Sequence, residues 1–206
     1  MDLSNLQKAD PIKRIVEKET GMEEYSPMDP PDAFSPPNLE QVPYDRLPSF
    51  LQKLVDEHKV CIKELNEFED ILAKILNEGI SAETNSGLAE FFRLLDNKKL
   101  HHNTKEEKLL FPLLQKHLLK IGEYSKGPFP KTALDLMEDD HIKIIQIAAV
   151  SFNLFNLAVR LPDKQSRILV LDAAIEQGKA LAEAMRLHIF REDNIVFSMA
   201  CKHLSE

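Results

Sequence analysis

The chain has 206 residues, of which 43% are hydrophobic and 29% charged, and this composition is typical of a globular protein with a core of its own. The formal net charge of −8 argues against nucleic acid as a partner, because neutralising phosphates requires a basic surface. We find no apolar run suited to crossing a bilayer and no signal-peptide core, so we expect a cytoplasmic protein without a membrane partner.

The N-terminal residues 1–44 are predicted to be an acidic, proline-rich arm. Eight of the twelve prolines fall within residues 1–48, and residues 1–40 carry nine acidic against four basic side chains. Proline removes a backbone donor, and this composition offers little apolar surface to bury, so the segment should form no sheet or long helix. Residues 45–206 then make up the folded domain.

The first two helices are predicted from apolar residues that recur at helical spacing after Pro48. The first helix should run from Pro48 to Gly79, where the glycine ends it. Its inward positions alternate in steps of three and four and include a histidine: Leu51, Leu54, His58, Cys61, Leu65, Phe68, Leu72 and Ile75. The second helix should run from Ala82 to Ile121, with a kink at Pro112. Its inward positions are Leu88, Phe91, Leu95, His102, Glu106, Leu109 and Leu113.

Two further helices follow the same pattern. The third should begin near Thr132, which with Asp135 resembles a capping box, and should end before Pro162. Its inward positions are Leu134, Met137, His141, Ile144, Ala148, Ser151 and Phe155. The fourth, from about Asp163, has the inward positions Leu171, Ala174, Gly178, Leu181, Met185, His188, Glu192, Ile195 and Met199. Short connections predict an all-α, up-down-up-down antiparallel four-helix bundle.

A repeat links the two halves of this bundle. The segment HHNTKEEKLLF, residues 101–111, recurs as LHIFREDNIVF, residues 187–197, and both contain His-x-x-x-Glu followed by a second acid. The segment VDEHKVCI, residues 55–62, likewise resembles EDDHIKII, residues 138–145. Equal helix lengths on either side of the turns place the repeated polar residues in one inward layer: His58, His102, Glu106, His141, His188 and Glu192.

The polar layer predicts a metal site. A single inward histidine is normally a core residue with one hydrogen bond, but four imidazoles and two carboxylates together are costly to bury without compensation. The His-x-x-x-Glu spacing places imidazole and carboxylate one helical turn apart on the same face, where both reach one ion or two adjacent ions. Mixed nitrogen and oxygen donors favour iron or manganese over structural zinc.

With these motifs the chain resembles the hemerythrin-like family of HHE cation-binding four-helix bundles. The resemblance spans about residues 45–204. It implies two iron ions with an oxo or hydroxo bridge. The terminal ligands would be His58, His102, His141 and His188, and Glu106 and Glu192 would bridge the irons. It also implies a small diatomic ligand or peroxide as partner, so we expect binding of or reaction with O₂, peroxide or NO in sensing, scavenging or storage.

The third helix departs from the pattern of oxygen-carrying hemerythrins. Those proteins have His-x-x-x-His on this helix, whereas Ile145 stands four residues after His141 here. Glu138 and Asp193 are therefore open as additional ligands. Two alternatives also stay open: a di-iron oxidase or ferroxidase, and a bundle with a structural or mononuclear metal. The sequence names no protein partner.

Overall fold

The computed structural model describes residues 41–125 and 131–204, which form an antiparallel, up-down-up-down bundle of four helices without strands. A short 3-10 helix, Tyr44–Arg46, precedes α1, Ser49–Glu78. Helix α2 spans residues 82–121, α3 is Ala133–Arg160, and α4 spans residues 164–204. The predicted all-α bundle is confirmed. The proline-rich arm lies outside the described residues except for residues 41–44.

Local sequence signals set the helix ends. Helix α1 ends at Gly79, whose φ of +82° is readily adopted only by glycine. Helix α2 begins with a capping box in which Ser81 accepts a hydrogen bond from the Thr84 N–H and Thr84 accepts one from the Ser81 N–H. The predicted capping box of α3 is present, with the Asp135 carboxylate 2.7 Å from the Thr132 backbone nitrogen.

The apolar core divides into two clusters, one on each side of the polar layer. One cluster lies towards the start of α1 and the end of α4, and its largest fully buried members are Leu54, Phe111, Leu114, Leu118, Leu134 and Phe197. The other lies towards the end of α1 and includes Leu65, Phe68, Leu72, Ile75, Ile144 and Leu181. The polar layer is therefore enclosed between two regions of low polarity.

Helix α2 changes its hydrogen-bond pattern at the glutamate of the motif. The segment Glu106–Leu110 is a π-helix. The Phe111 N–H donates a hydrogen bond to the Glu106 carbonyl, five residues earlier in the chain. This wider turn accommodates one extra residue and shifts the helical phase. The prediction that Leu109 and Leu113 point inward is consequently wrong: they are 56% and 62% exposed, and Leu110 and Leu114 are buried instead.

The same π-turn occurs in α4, where Glu192–Val196 is closed by the Phe197 N–H to the Glu192 carbonyl. No proline follows that turn, whereas Pro112 lies in the first turn after the α2 segment. Proline is thus not the shared cause of the irregularity. What the two π-turns share is their start at the glutamate of the repeated motif.

Helix α3 is long and apolar enough to cross a membrane by length and composition alone, since it contains an 18-residue window with a mean hydropathy of 1.7. The expectation that the chain has no such run is therefore wrong. Core helices of bundle proteins, which are mostly buried, pass the same test, but only 28% of this window is buried. In the structure α3 turns His141, Ile144, Ser151 and Phe155 into the bundle against the neighbouring helices.

Candidate metal centre

All six residues of the predicted polar layer meet in the interior of the bundle, and each is at most 5% exposed. Their possible ligand atoms form two groups, and within each group these atoms lie within 4.8 Å of one another. The first group is His58, His102, Glu106 and Glu192; the second is Glu106, His141, His188 and Glu192. Both glutamates belong to both groups, so the histidines divide into two pairs around a shared pair of carboxylates.

Each histidine pair joins the two helices of one hairpin. The Nε2 atoms of His58 and His102 are 2.9 Å apart, and those of His141 and His188 are 3.1 Å apart. The Glu192 carboxylate spans the two pairs, with one oxygen 3.1 Å from His58 Nε2 and the other 3.0 Å from His188 Nε2. All four imidazoles therefore present Nε2 to the centre of the layer.

Glu106 occupies the opposite side of the layer at longer distances. One of its oxygens lies 3.4 Å from His102 Nε2 and the other 3.5 Å from His141 Nε2. These separations are ion-pair distances for a protonated imidazole, but none has hydrogen-bond geometry. Among the described residues, both oxygens of Glu106 and both of Glu192 are buried without a hydrogen-bond partner.

A second set of acids holds the outer nitrogen of the imidazoles. Nδ1 of His58 lies 2.7 Å from the Asp193 carboxylate. Nδ1 of His102 lies 2.8 Å from Glu57, and Nδ1 of His141 lies 2.6 Å from Glu107. In His188 the nearest carboxylate, Asp140, is 3.9 Å away, which is an ion-pair distance and too long for a hydrogen bond. Lys105 pairs with Glu57, and Arg191 donates to Asp140 at 2.6 Å.

The donor arrangement fits a cation. The outer carboxylates assign the N–H of a neutral imidazole to Nδ1, which leaves the Nε2 lone pair directed inward. The inner carboxylate oxygens are acceptors too, so acceptors face acceptors throughout the layer. Metal ions bound by several imidazole nitrogens and carboxylate oxygens satisfy all of these groups at once, and outer carboxylates are the usual partners of metal-bound histidines.

In the absence of a cation, protons have to fill the same role. Burial alone would lower the pKa of His58, but the hydrogen bond to Asp193 and the negative charge of Glu192 outweigh it and raise the pKa to about 9. The pKa of His141 likewise rises to about 9 against the effect of burial, through the neighbouring glutamates. For His188, burial prevails and the pKa falls. The layer thus binds positive charge even without metal.

Phenylalanines of the repeated motif cover two of the histidines. The Phe197 ring stacks on His58 with 5.7 Å between centroids and 3° between planes, and Phe111 stacks on His141 at 5.9 Å and 16°. Both phenylalanines come five residues after an inner glutamate, and the π-turn between them aligns the two side chains. The repeated sequence motif therefore corresponds to one local structure that occurs twice, once in α2 and once in α4.

Sequence reasoning missed the outer carboxylates and one buried cation. Glu107, expected on the surface, is 43% exposed yet contacts His141. Each outer acid directly adjoins a predicted ligand in sequence, which was an available signal: Glu57, Glu107, Asp140 and Asp193. Lys99 is only 8% exposed and fills the inward position between Leu95 and His102, four residues after the first and three before the second.

Glu138 and Asp193, which the sequence left open as additional ligands, lie outside both four-residue groups found among the described residues. Glu138 is exposed on α3. Partial loss of hydration beside the bundle and the nearby charge of Glu107 raise the pKa of Glu138. Asp193 contacts the outer nitrogen of His58, on the side away from the inner carboxylates.

Comparison with known families agrees with this architecture. The model of the hemerythrin HHE cation binding domain matches residues 49–200, well over half of the chain and all six residues of the polar layer. Comparisons with curated proteins and with solved structures found no match. The chain belongs to the hemerythrin HHE cation-binding domain family, and its bundle presents a buried cluster of histidines and glutamates suited to binding metal cations.

Proposed function

We propose that this centre holds two iron ions and that the protein binds or reacts with O₂, peroxide or NO. The observation that carries the proposal is the sharing of Glu106 and Glu192 by two histidine pairs. Each pair offers two imidazole nitrogens and two carboxylate oxygens to one ion. A carboxylate with one oxygen near each pair suits bridging between two ions, as in other metal-binding helix bundles.

The donor chemistry supports iron. Structural zinc sites favour cysteine or a closed tetrahedral set, whereas two histidines with carboxylate and further open positions are typical of non-haem iron that reacts with O₂. Cys61 and Cys201 are not joined in a disulfide, and both lie outside the two groups. Four protein donors per ion leave iron able to accept a small exogenous ligand.

A cavity of about 450 Å³ supports access for such a ligand. It opens between α1 and α2 and reaches two of the predicted ligands, His58 and His102. Its other walls include Cys61, Phe91 and Met185. A small molecule could therefore reach one side of the polar layer without the bundle opening.

The chain's own residues would orient and protect the centre. Bound iron would supply the electrons and the open coordination positions for small-molecule chemistry. Asp193, Glu57 and Glu107 accept the Nδ1–H of three imidazoles, which fixes the rings and raises the basicity of Nε2. Phe111 and Phe197, buried against two of the rings, exclude water from that side of the layer.

The deciding experiment is the metal content of the full chain purified without added metal and after reconstitution with iron(II) in the absence of air. We expect two irons per chain and a visible spectrum after oxidation that the metal-free protein lacks. One metal ion per chain, or two zinc ions that iron does not displace, would contradict a di-iron centre and favour a structural or mononuclear metal.

A di-iron oxidase or ferroxidase is the second candidate, and the volume of the cavity favours an oxidase, because about 450 Å³ exceeds what a diatomic ligand needs and would admit an organic substrate. The two functions differ in turnover. A ferroxidase consumes many iron(II) ions per chain when O₂ is present, whereas a binding protein stops at its own two. Counting the iron(II) oxidised per chain under excess iron separates the two candidates.

A further inference from the structure

Lys99 is a buried positive charge next to the candidate metal centre. Its side chain is 8% exposed, and its ammonium has no hydrogen-bond partner among the described residues. The neighbouring lysines of the same cavity are paired: Lys98 lies 2.6 Å from Glu64, and Lys105 contacts Glu57. Lys99 therefore differs from its neighbours in both burial and pairing.

The position of Lys99 is set by the backbone of α2. It is the last residue of a π-helix, Leu95–Lys99, and lies three residues before His102 on the inward side. It lines the same cavity as His58, His102 and Cys61. Its positive charge is close enough to favour the ionised forms of the Glu192 carboxyl group and the Cys61 thiol.

A buried ammonium with three donors is costly unless an anion accepts from it. In the metal-free protein the charge of Glu192 partly offsets it. Cations in the centre would take up those carboxylates and would leave Lys99 beside an excess of positive charge. An anion held between the centre and the ammonium compensates both, whereas a neutral ligand compensates neither.

We propose that Lys99 selects a small anion as the exogenous ligand of this centre. The anion class is a monovalent ion of two or three heavy atoms, such as azide, nitrite or deprotonated hydrogen peroxide, which enters through the cavity between α1 and α2. Lys99 is a specificity-determining residue that donates a hydrogen bond to the bound anion. The inference rests on the proposed function, because it requires cations in the centre.

The test compares azide binding by the iron-loaded full chain with binding by Lys99→Met. Azide is titrated and its Kd read from the visible absorption. We expect Kd to rise at least about tenfold, equivalent to about 1.4 kcal/mol. Lys98→Met is the matched control, since it removes the same charge from an exposed, 54% accessible side chain of the same cavity, and Kd should stay within about twofold.

A neutral probe separates charge from access. Nitric oxide bound to the reduced protein should keep its affinity in Lys99→Met within about twofold, because it gains nothing from the ammonium. Equal weakening of azide and nitric oxide would overturn the proposal, as would an unchanged azide Kd. Loss of iron from Lys99→Met would also overturn it, because Lys99 would then serve the metal site itself.

The folding of the variant is checked by helical circular dichroism and thermal unfolding. Lys99→Gln, which removes the charge but keeps an N–H donor, replaces the methionine variant if that one does not fold, with the same expected rise in Kd. Failure of both variants to fold would show a structural role and overturn the proposal. A wild-type protein that binds neither iron nor azide would instead overturn the proposed function.

Discussion

The Asp193 carboxylate lies 2.7 Å from Nδ1 of His58, although 135 residues separate the two in the chain. The contact crosses from the second helical hairpin to the first. Its counterpart runs the other way, from Glu107 in the first hairpin to His141 in the second, at 2.6 Å. Each hairpin thus orients the first histidine of the other hairpin. We call this pair of contacts, Asp193 with His58 and Glu107 with His141, the reciprocal clamp.

This clamp predicts that the outer carboxylates control metal affinity. Asp193→Asn and Glu107→Gln keep the size of the side chain but weaken the hydrogen bond that orients the imidazole. We expect iron affinity to fall about 10–100-fold in each variant. Competition with a chelator of known affinity measures the change.

Glu138→Gln is the matched control, since Glu138 is an exposed acid of α3 outside both four-residue groups. Its iron affinity should equal that of the wild type. A loss in this control as large as in Glu107→Gln would show that general negative charge, and not the contact with His141, retains the metal.

Adjacent histidines allow a second matched comparison. His102 is buried with Nε2 in the polar layer, whereas His101 is exposed on the same helix turn. We expect His102→Ala to lose at least one iron per chain and His101→Ala to keep both, because removing one of four protein donors leaves an ion under-ligated. Elemental analysis of both variants after identical reconstitution decides it, and equal losses would refute the assignment of His102.

The sequence predicted the four helices and the level of the polar layer because apolar periodicity and caps are local properties. His58, His102, His141 and His188 all lie where the helical phase places them. The predicted phase failed after Glu106, and after Glu192 the buried residue is Val196 while the predicted Ile195 is only partly buried, because both segments are π-turns that the apolar spacing did not reveal. The outer carboxylates escaped prediction for another reason: which imidazole an acid meets depends on how neighbouring helices are rotated.

The protonation of the layer predicts how metal-free stability depends on pH. The folded-state pKa values of His58 and His141 are raised to about 9 from an ordinary 6.5. A raised pKa stabilises the fold fully below about 6.5 and loses that contribution as pH rises through about 9. We therefore expect the melting temperature of the metal-free protein to fall between pH 6.5 and 9.

Iron-loaded protein is the comparison for this measurement. Metal replaces the protons at Nε2, so its melting temperature should fall less over the same range. The His101→Ala variant should keep the slope of the metal-free wild type. A metal-free melting temperature that stays constant or rises from pH 6.5 to 9 would contradict the assignment of protons to these two histidines.

The stacked phenylalanine predicts a coupling between the core and the centre. Phe197 is fully buried against His58, so Phe197→Ala should lower the free energy of unfolding by about 3–5 kcal/mol. The same change should lower the affinity of the centre for iron. Phe190→Ala, at a ring that is 59% exposed on the same helix, should change stability by no more than about 0.5 kcal/mol. Denaturant unfolding measures both. Similar losses in the two variants would show that the ring acts through the helix and not through the packed core.

The walls of the cavity predict whether O₂ binding is reversible. A reversible carrier needs a pocket that delivers no proton to bound O₂, yet the cavity beside His58 and His102 also contains Lys98, Lys99 and Lys105. The ammonium of Lys99 is buried there and has donors to spare. We expect the visible absorption that develops when the reduced, iron-loaded protein meets O₂ to persist after the gas is replaced by argon. Absorption that disappears under argon and returns with O₂ would instead identify a carrier, and Lys99→Met should move the protein in that direction by removing a buried proton donor of the cavity.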